Sequence, residues 1–220
     1  MESIRGPQRG VLRVEPMSTN IYSYLLFRSL YQPIEAFQRL SASEPSSMGV
    51  LFRYSLWLLI LPPVFSLIGA ANFGWRLGAA EPLMLSRQAL LLVSAGYFFV
   101  LVFGLLSTSL ISRWMAATYG ASTALGRHVA LVTIVGEPLA VASLAHLYPD
   151  VFINILVIIP TMIWSMYLLY KGIPLALGIT SEKGMLMASS LVGWLLVAAV
   201  SLLGISMMLW TLGVGPLLGV

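Results

Sequence analysis

Residues 151–170 read VFINILVIIPTMIWSMYLLY, twenty residues without a charge. As a helix rising about 1.5 Å per residue, such a run covers roughly 30 Å, the thickness of a hydrocarbon core. Working outward, charges and turn residues bracket four more runs of this kind. His128–Leu147 precedes it across the turn Tyr148-Pro149-Asp150. Gln88–Ile111 lies between Arg87 and Arg113, and Tyr54–Ala71 between Arg53 and Asn72. On the far side, a long run extends from Met185 to about Leu212. Five spans result. Lipid offers no partner to a backbone N–H or C=O, so the spans are expected to be helices. The alternating polarity of barrel strands of about 10 residues is absent.

Composition agrees with an all-α integral membrane protein. Of 220 residues, 59% are hydrophobic and 9% charged, and mean hydropathy is +0.92. A soluble domain carries roughly 25% charged residues. The composition therefore excludes an ordinary cytosolic enzyme, a disordered chain and a nucleic-acid binder. There is no cysteine, hence no disulfide framework, thiolate metal site or cysteine nucleophile.

Lys and Arg in short loops set orientation. Arg5, Arg9, Arg13, Arg28, Arg39 and Arg53 precede the first span. Arg113 and Arg127 follow the second, and Lys171 and Lys183 follow the fourth. Only Arg76 and Arg87 fall on the other side, so the two faces carry ten and two basic residues. This predicts a cytoplasmic N-terminus and an outside C-terminus. The first apolar run starts near residue 50, too far in for a signal-peptide core. The chain divides into a polar tail (1–20, expected to be disordered), a cytoplasmic amphipathic segment (21–49), a transmembrane domain (50–212) and a short tail (213–220).

Within 21–49, Phe27, Leu30, Tyr31, Ile34, Phe37 and Leu40 recur at helical spacing and form one apolar stripe. Pro33 lacks an amide hydrogen and suits a first helical position. The expectation is two short helices lying in the cytoplasmic interface, either as a surface anchor or as a partner-docking site.

Inside the spans, Glu137 is the one charge placed well within hydrocarbon, followed by Pro138 in GEPLA. A buried acid is costly and marks either a hydrogen-bonded packing residue or a proton or substrate relay. His128 and His146 each lie nine residues away, about half a turn off on a helix of 3.6 residues per turn. A partner must come from another helix. Pro62 and Pro63 predict a kink in the first span, and Pro160 a weaker one in the fourth. Gly136/Ala140, Gly184/Ala188 and Ser189/Gly193 are small pairs that allow helices to approach.

No metalloprotease, hydrolase or phosphate-loop motif is present, and no catalytic residue, metal or cofactor is expected. Gly126-Arg127-His128 reads as a loop-to-helix start.

Residues 166–185, MYLLYKGIPLALGITSEKGM, read as a span end, a Gly-x-Pro break, a short apolar piece and a restart. Gly172 can take positive φ, Pro174 blocks continuation, and Ser181 caps the fifth span with Glu182 at its positive end. The pattern Tyr167-Leu168-Leu169-Tyr170-x-Gly172-Ile173-Pro174-x-x-x-Gly178-Ile179-x-x-Glu182-Lys183 resembles the signature of the Yip family. These are five-span membrane proteins named for interaction with Rab-type GTPases. Pro33 and Phe37 of YQPIEAFQRL, residues 31–40, resemble the family's pre-membrane element. The resemblance implies five spans with the N-terminus inside. Eukaryotic members act in ER–Golgi trafficking with prenylated GTPases, but their long cytoplasmic N-terminal region is absent here. The chain looks more like the prokaryotic branch.

The resulting expectation is a protein of the prokaryotic cytoplasmic (inner) membrane, or of ER/Golgi membranes if eukaryotic. It would serve as a non-enzymatic scaffold or accessory subunit of a membrane complex. Its docking motif would be Tyr170, Lys171, Gly172, Pro174, Gly178, Glu182 and Lys183. Expected partners are the lipid bilayer and a protein in the membrane or at its cytoplasmic face, with no nucleic acid; a homo-oligomer is compatible with the small-residue faces. The alternative is a small transporter or channel using Glu137, Pro138 and the proline-broken helices. An intramembrane enzyme ranks last, because one buried acid has no nucleophile or metal beside it.

Overall fold

The computed structural model describes residues 29–76, 78 and 81–212, apart from the side chains at 209 and 210. Phe27 and the 1–20 and 213–220 tails lie outside the described residues. Five helices among those described are long and apolar enough to cross a membrane, matching the five predicted runs.

A short helix, α1 (Pro33–Ser41), precedes them, with Pro33 in its first turn as its missing amide hydrogen requires. Its apolar side rests on protein. Ala36, Phe37 and Leu40 are fully buried, while Tyr31 is 82% exposed and Ile34 lies at the surface.

The first span, α2 (Ser47–Phe73), is irregular. Ser46 caps it, accepting from the Gly49 amide. Residues Leu51–Ser55 form a π-helical turn, closed by the Leu56 amide on the Leu51 carbonyl. The helix is then interrupted at Ile60 and restarts at Leu61. Pro62 and Pro63 explain this, since neither can donate to the turn before it. Hydrogen bonding resumes on both sides, Ile60 N to Leu56 O at 3.1 Å and Val64 N to Ile60 O at 3.2 Å.

The second span, α3 (Arg87–Tyr119), is capped by Ser86 and ends at Gly120, whose φ of 70° breaks the helix. It runs eight residues beyond the predicted end at Ile111. Arg113 carries a charge but does not break a helix; the left-handed glycine does.

The third span is α4 (Leu125–Ala142), continued by a 3-10 turn Ser143–Leu147. It is the centre of the bundle. More than half of it is buried, against 22% or less for the others. Leu131, Ile134 and Ala130 are fully covered. At its start Gly126 admits the Pro45 carbonyl, which would lie 1.7 Å from any Cβ there.

The fourth span, α5 (Val151–Leu177), is capped by the Asp150 carboxylate on the Ile153 amide at 3.0 Å. The expected Gly-x-Pro break is corrected here. The helix passes through both Gly172 and Pro174 and ends at Gly178, φ 70°. Gly172 is not a positive-φ hinge but a contact point, where a Cβ would stand 2.6 Å from Phe37 Cζ. The 171–183 loop thus shrinks to three residues, Gly178 to Thr180. Ser181 is the first residue of the last helix, α6 (Ser181–Thr211), rather than its cap.

α1 stands beside α4 and α5 rather than apart from the spans. Phe37 meets Gly172 near the Leu177 end of α5. Leu30 shares a groove with Pro160 and Trp164, near the middle of that helix. The segment 29–41 therefore reaches from one end of the bundle to about its half-height. Irregular backbone at such depth is tolerated where protein buries it.

Candidate functional site

The site follows from the central position of α4. Thr133 and Glu137 are one helical turn apart and so share a face. Opposite them, the π-helical turn of α2 presents Tyr54 and Ser55, both fully buried. Ser55 Oγ lies 2.7 Å from Thr133 Oγ1. Each hydroxyl also reaches a carbonyl of its own helix, Thr133 that of Val129 at 2.7 Å and Ser55 that of Val50 at 3.4 Å. One turn along, Tyr54 donates to Glu137 Oε2 at 3.2 Å. π turns of this kind recur at functional sites because the extra residue re-aims side chains.

The third member comes from outside the spans. Ser29 donates to the same Glu137 oxygen at 2.5 Å and stands 3.2 Å from the Tyr54 hydroxyl. Ser29, Tyr54 and Glu137 are 1%, 0% and 3% exposed. An unpartnered acid at this depth would be expensive. Here two hydroxyls meet one carboxyl oxygen, so Glu137 ties the segment ahead of α1 to the first and third spans.

Sequence reasoning found Glu137 and its need for partners on other elements. It missed Ser29 and Tyr54, which lie 108 and 83 residues away and are ordinary residue types. The only available signal was the polar pair Tyr54-Ser55 at the mouth of an apolar run. Pro138, the companion of Glu137, is buried in α4 and also borders the groove that holds Leu30.

His128 is a satisfied core residue. Its Nε2 lies 2.8 Å from the Ser122 carbonyl, which can only accept, so Nε2 carries the proton. In the neutral ring Nδ1 then accepts from Ser112 Oγ at 2.8 Å. His146 pairs elsewhere, with Asn154 Oδ1 at 2.5 Å. Among the described residues no three His, Cys, Asp or Glu side chains come together to hold a metal.

The predicted docking motif divides into two groups. Gly172 lies under Phe37, Pro174 packs where a Cβ on Gly184 would meet its ring, and Gly178 ends α5. Tyr170 pairs with Ser189 at 3.0 Å. Lys171, Glu182 and Lys183 are exposed at the same end of the α5–α6 hairpin. Of the stripe ahead of the spans, Leu30, Phe37 and Leu40 turn to protein, and Tyr31 and Ile34 do not. Of the small pairs, Gly184/Ala188 is buried, whereas Gly136 and Gly193 have open space where a Cβ would go.

The family model of the Yip1 domain matches residues 27–214. Two relatives are the inner membrane protein YohC of Escherichia coli strain K12 and the protein of the same name from strain O6:H1. Each is 29% identical over 161 residues, covering 73% of this chain and 83% of the relative. No solved structure matches the chain.

Proposed function

The chain belongs to the Yip1 domain family as an integral inner membrane protein, and from that premise we propose that it is a non-enzymatic scaffold or accessory subunit of a membrane complex. The observation that supports this is how Glu137 is used. The residue is 3% exposed, and two hydroxyls of the same chain converge on one of its carboxyl oxygens. An acid engaged in this way fixes a segment in place. A relay residue would instead be poised towards a substrate.

Docking is then left to the exposed chemistry. Lys171, Glu182 and Lys183 stand at the end of the α5–α6 hairpin. The excess of Lys and Arg on that side supports reading it as the cytoplasmic end. The partner fitting this face is a protein presenting mixed charges at the membrane surface.

The test is extraction from the native membrane in mild detergent, with identification of stoichiometric partners. A defined partner that is lost in Lys171→Glu/Lys183→Glu, while the fold is kept, is the expected result. A homogeneous preparation without any partner, together with reconstituted flux abolished by Glu137→Gln, would overturn the scaffold reading in favour of a transporter.

A further inference from the structure

At the end of the bundle away from the α5–α6 hairpin, two loops are joined by their backbones. Trp75, just past α2, exchanges two hydrogen bonds with Leu83, at 3.0 and 2.8 Å. The next residue, Arg76, donates its amide to the Pro149 carbonyl at 2.9 Å and accepts from the Val151 amide at 3.2 Å. Its backbone is thereby fixed against the turn between α4 and α5. Its guanidinium lies over the Tyr148 ring, 5.0 Å from the centroid. We infer that Arg76 and Tyr148 form a binding site for a phosphate group at the membrane surface, carried by a phospholipid of the bilayer.

The first support is an unanswered charge. Arg76 is half-buried, and its Nε is shielded from water without a hydrogen-bond partner. Among the described residues it makes no ion pair, in contrast to Arg39 with Glu35 and Arg127 with Glu44. Asp150 stands across the bridge from Arg76, yet its carboxylate caps the Ile153 amide at 3.0 Å. Glu81, the other acid nearby in sequence, is exposed. Leu77, Ala79 and Ala80, beside Arg76 in the same loop, are uncharged. A partly desolvated guanidinium calls for a counter-charge. A phosphate supplies it, and its oxygens match the parallel N–H donors of arginine.

The second support is the surface around it. Phe73, the last residue of α2, is 46% exposed and packs against the Tyr148 ring with centroids 5.5 Å apart. An apolar surface thus leads through Tyr148 to a cation just past the span end. A phospholipid presents the same order, hydrocarbon and then phosphate. The Tyr148 hydroxyl has no hydrogen-bond partner among the described residues and offers a second donor at the ring's edge. Trp75 beside it suits the membrane–water boundary. Interfacial arginines commonly snorkel on a free stem. Arg76 differs in being held by two backbone bonds and a ring, so little freedom is lost when it engages an anion.

The test uses the full chain in a maltoside detergent, which carries no phosphate, and counts bound lipid by native mass spectrometry. The probes are dioleoylphosphatidylglycerol and dioleoylglycerol, which has the same chains without the phosphate. The expected result is selective retention of phosphatidylglycerol, weakened about tenfold in Arg76→Gln, as loss of a hydrogen bond to a charged group gives. Arg76→Lys, which keeps the charge without the fork, should fall between. Tyr148→Phe, which keeps the ring, should show a smaller loss. Arg113→Gln, an exposed arginine near the other end of α3, should retain lipid like the unaltered chain. Excess inorganic phosphate at constant ionic strength separates the two sources. Unchanged retention supports the lipid headgroup, and displacement supports the phosphate site with free phosphate as its occupant. Equal retention of the two lipids would overturn the proposal. So would unchanged retention in both Arg76→Gln and Tyr148→Phe, or a loss in Arg113→Gln as large as that in Arg76→Gln. If Arg76→Gln does not fold, the comparison of lipids in the unaltered chain and in Tyr148→Phe decides.

Discussion

Ser29 and Glu137, 108 residues apart, meet at 2.5 Å in the interior of the bundle, with both side chains almost fully buried. The first prediction follows from what each change would leave behind. Glu137→Gln keeps a carbonyl oxygen for the Ser29 and Tyr54 hydroxyls. Glu137→Leu removes the acceptor that both hydroxyls share, the two lying 3.2 Å apart. The leucine variant should therefore cost about 1–2 kcal/mol, and the glutamine variant less. Unfolding in mixed micelles measures the difference. Hydrogen exchange across 29–41 should rise in the leucine variant and stay near the wild-type pattern in the glutamine variant. The reverse order would mean that the acid does not hold the segment by these bonds.

A second prediction concerns two glycines that a helix-propensity scale treats alike. Gly172→Ala places a Cβ 2.6 Å from Phe37 Cζ and 3.0 Å from Leu131 Cδ1. Gly136→Ala meets nothing within 4 Å. Overpacking costs about 1–3 kcal/mol, whereas an unobstructed Gly→Ala in a helix gains up to about 1 kcal/mol. The two variants should move stability in opposite directions. Phe37→Leu should recover part of the Gly172→Ala loss, visible as a favourable coupling in a double-mutant cycle.

A third prediction rests on His128. His128→Ala strands the Ser112 hydroxyl and the Ser122 carbonyl, both of which the ring satisfies at 2.8 Å. Leaving a buried polar group unpaired costs about 1–3 kcal/mol, to which lost packing adds. Ser112→Ala strands only the ring Nδ1 and should cost less. A thermal shift for Ser112→Ala as large as that for His128→Ala would assign the stabilisation to something other than the ring.

These sites show where sequence and structure part. The five spans were readable because hydropathy over twenty residues is a strong signal and lipid allows only helices. Their ends are not, because a charge at the edge of an apolar run does not itself terminate a helix. Arg113 sits inside α3, and Gly172 and Pro174 sit inside α5, while Gly120 and Gly178 end those helices by turning left-handed. Glu137 stood out as a lone acid, but its partners are a serine and a tyrosine, which nothing in the sequence ties to position 137. The stripe ahead of the spans was half legible. Its period gave the helix, yet Phe37 and Leu40 are buried in protein and Tyr31 is exposed, since a hydrophobic period does not say what covers it.

The last prediction sets a close backbone approach against an ion pair in the same corner. Arg127 reaches Glu44 at 3.8 Å, but the Glu44 side chain is 80% exposed. An exposed pair of this kind contributes roughly 0–1 kcal/mol. Arg127 also donates to the Ser43 carbonyl at 2.9 Å, which does not need the acid. Glu44→Ala should therefore be nearly silent. Gly126, one residue away from Arg127, is the opposite case. A Cβ there would lie 1.7 Å from the Pro45 carbonyl oxygen and 3.1 Å from the Ser47 amide nitrogen. Those are backbone atoms at the start of α2, so relief requires shifting the first span against the third. Helix propensity alone would favour Gly126→Ala by about 1 kcal/mol, but a backbone clash outweighs it. The expected outcome is a loss of about 3 kcal/mol, read by unfolding in micelles. A stabilised Gly126→Ala, or a Glu44→Ala loss of comparable size, would show that charge rather than close approach joins the two spans at this end.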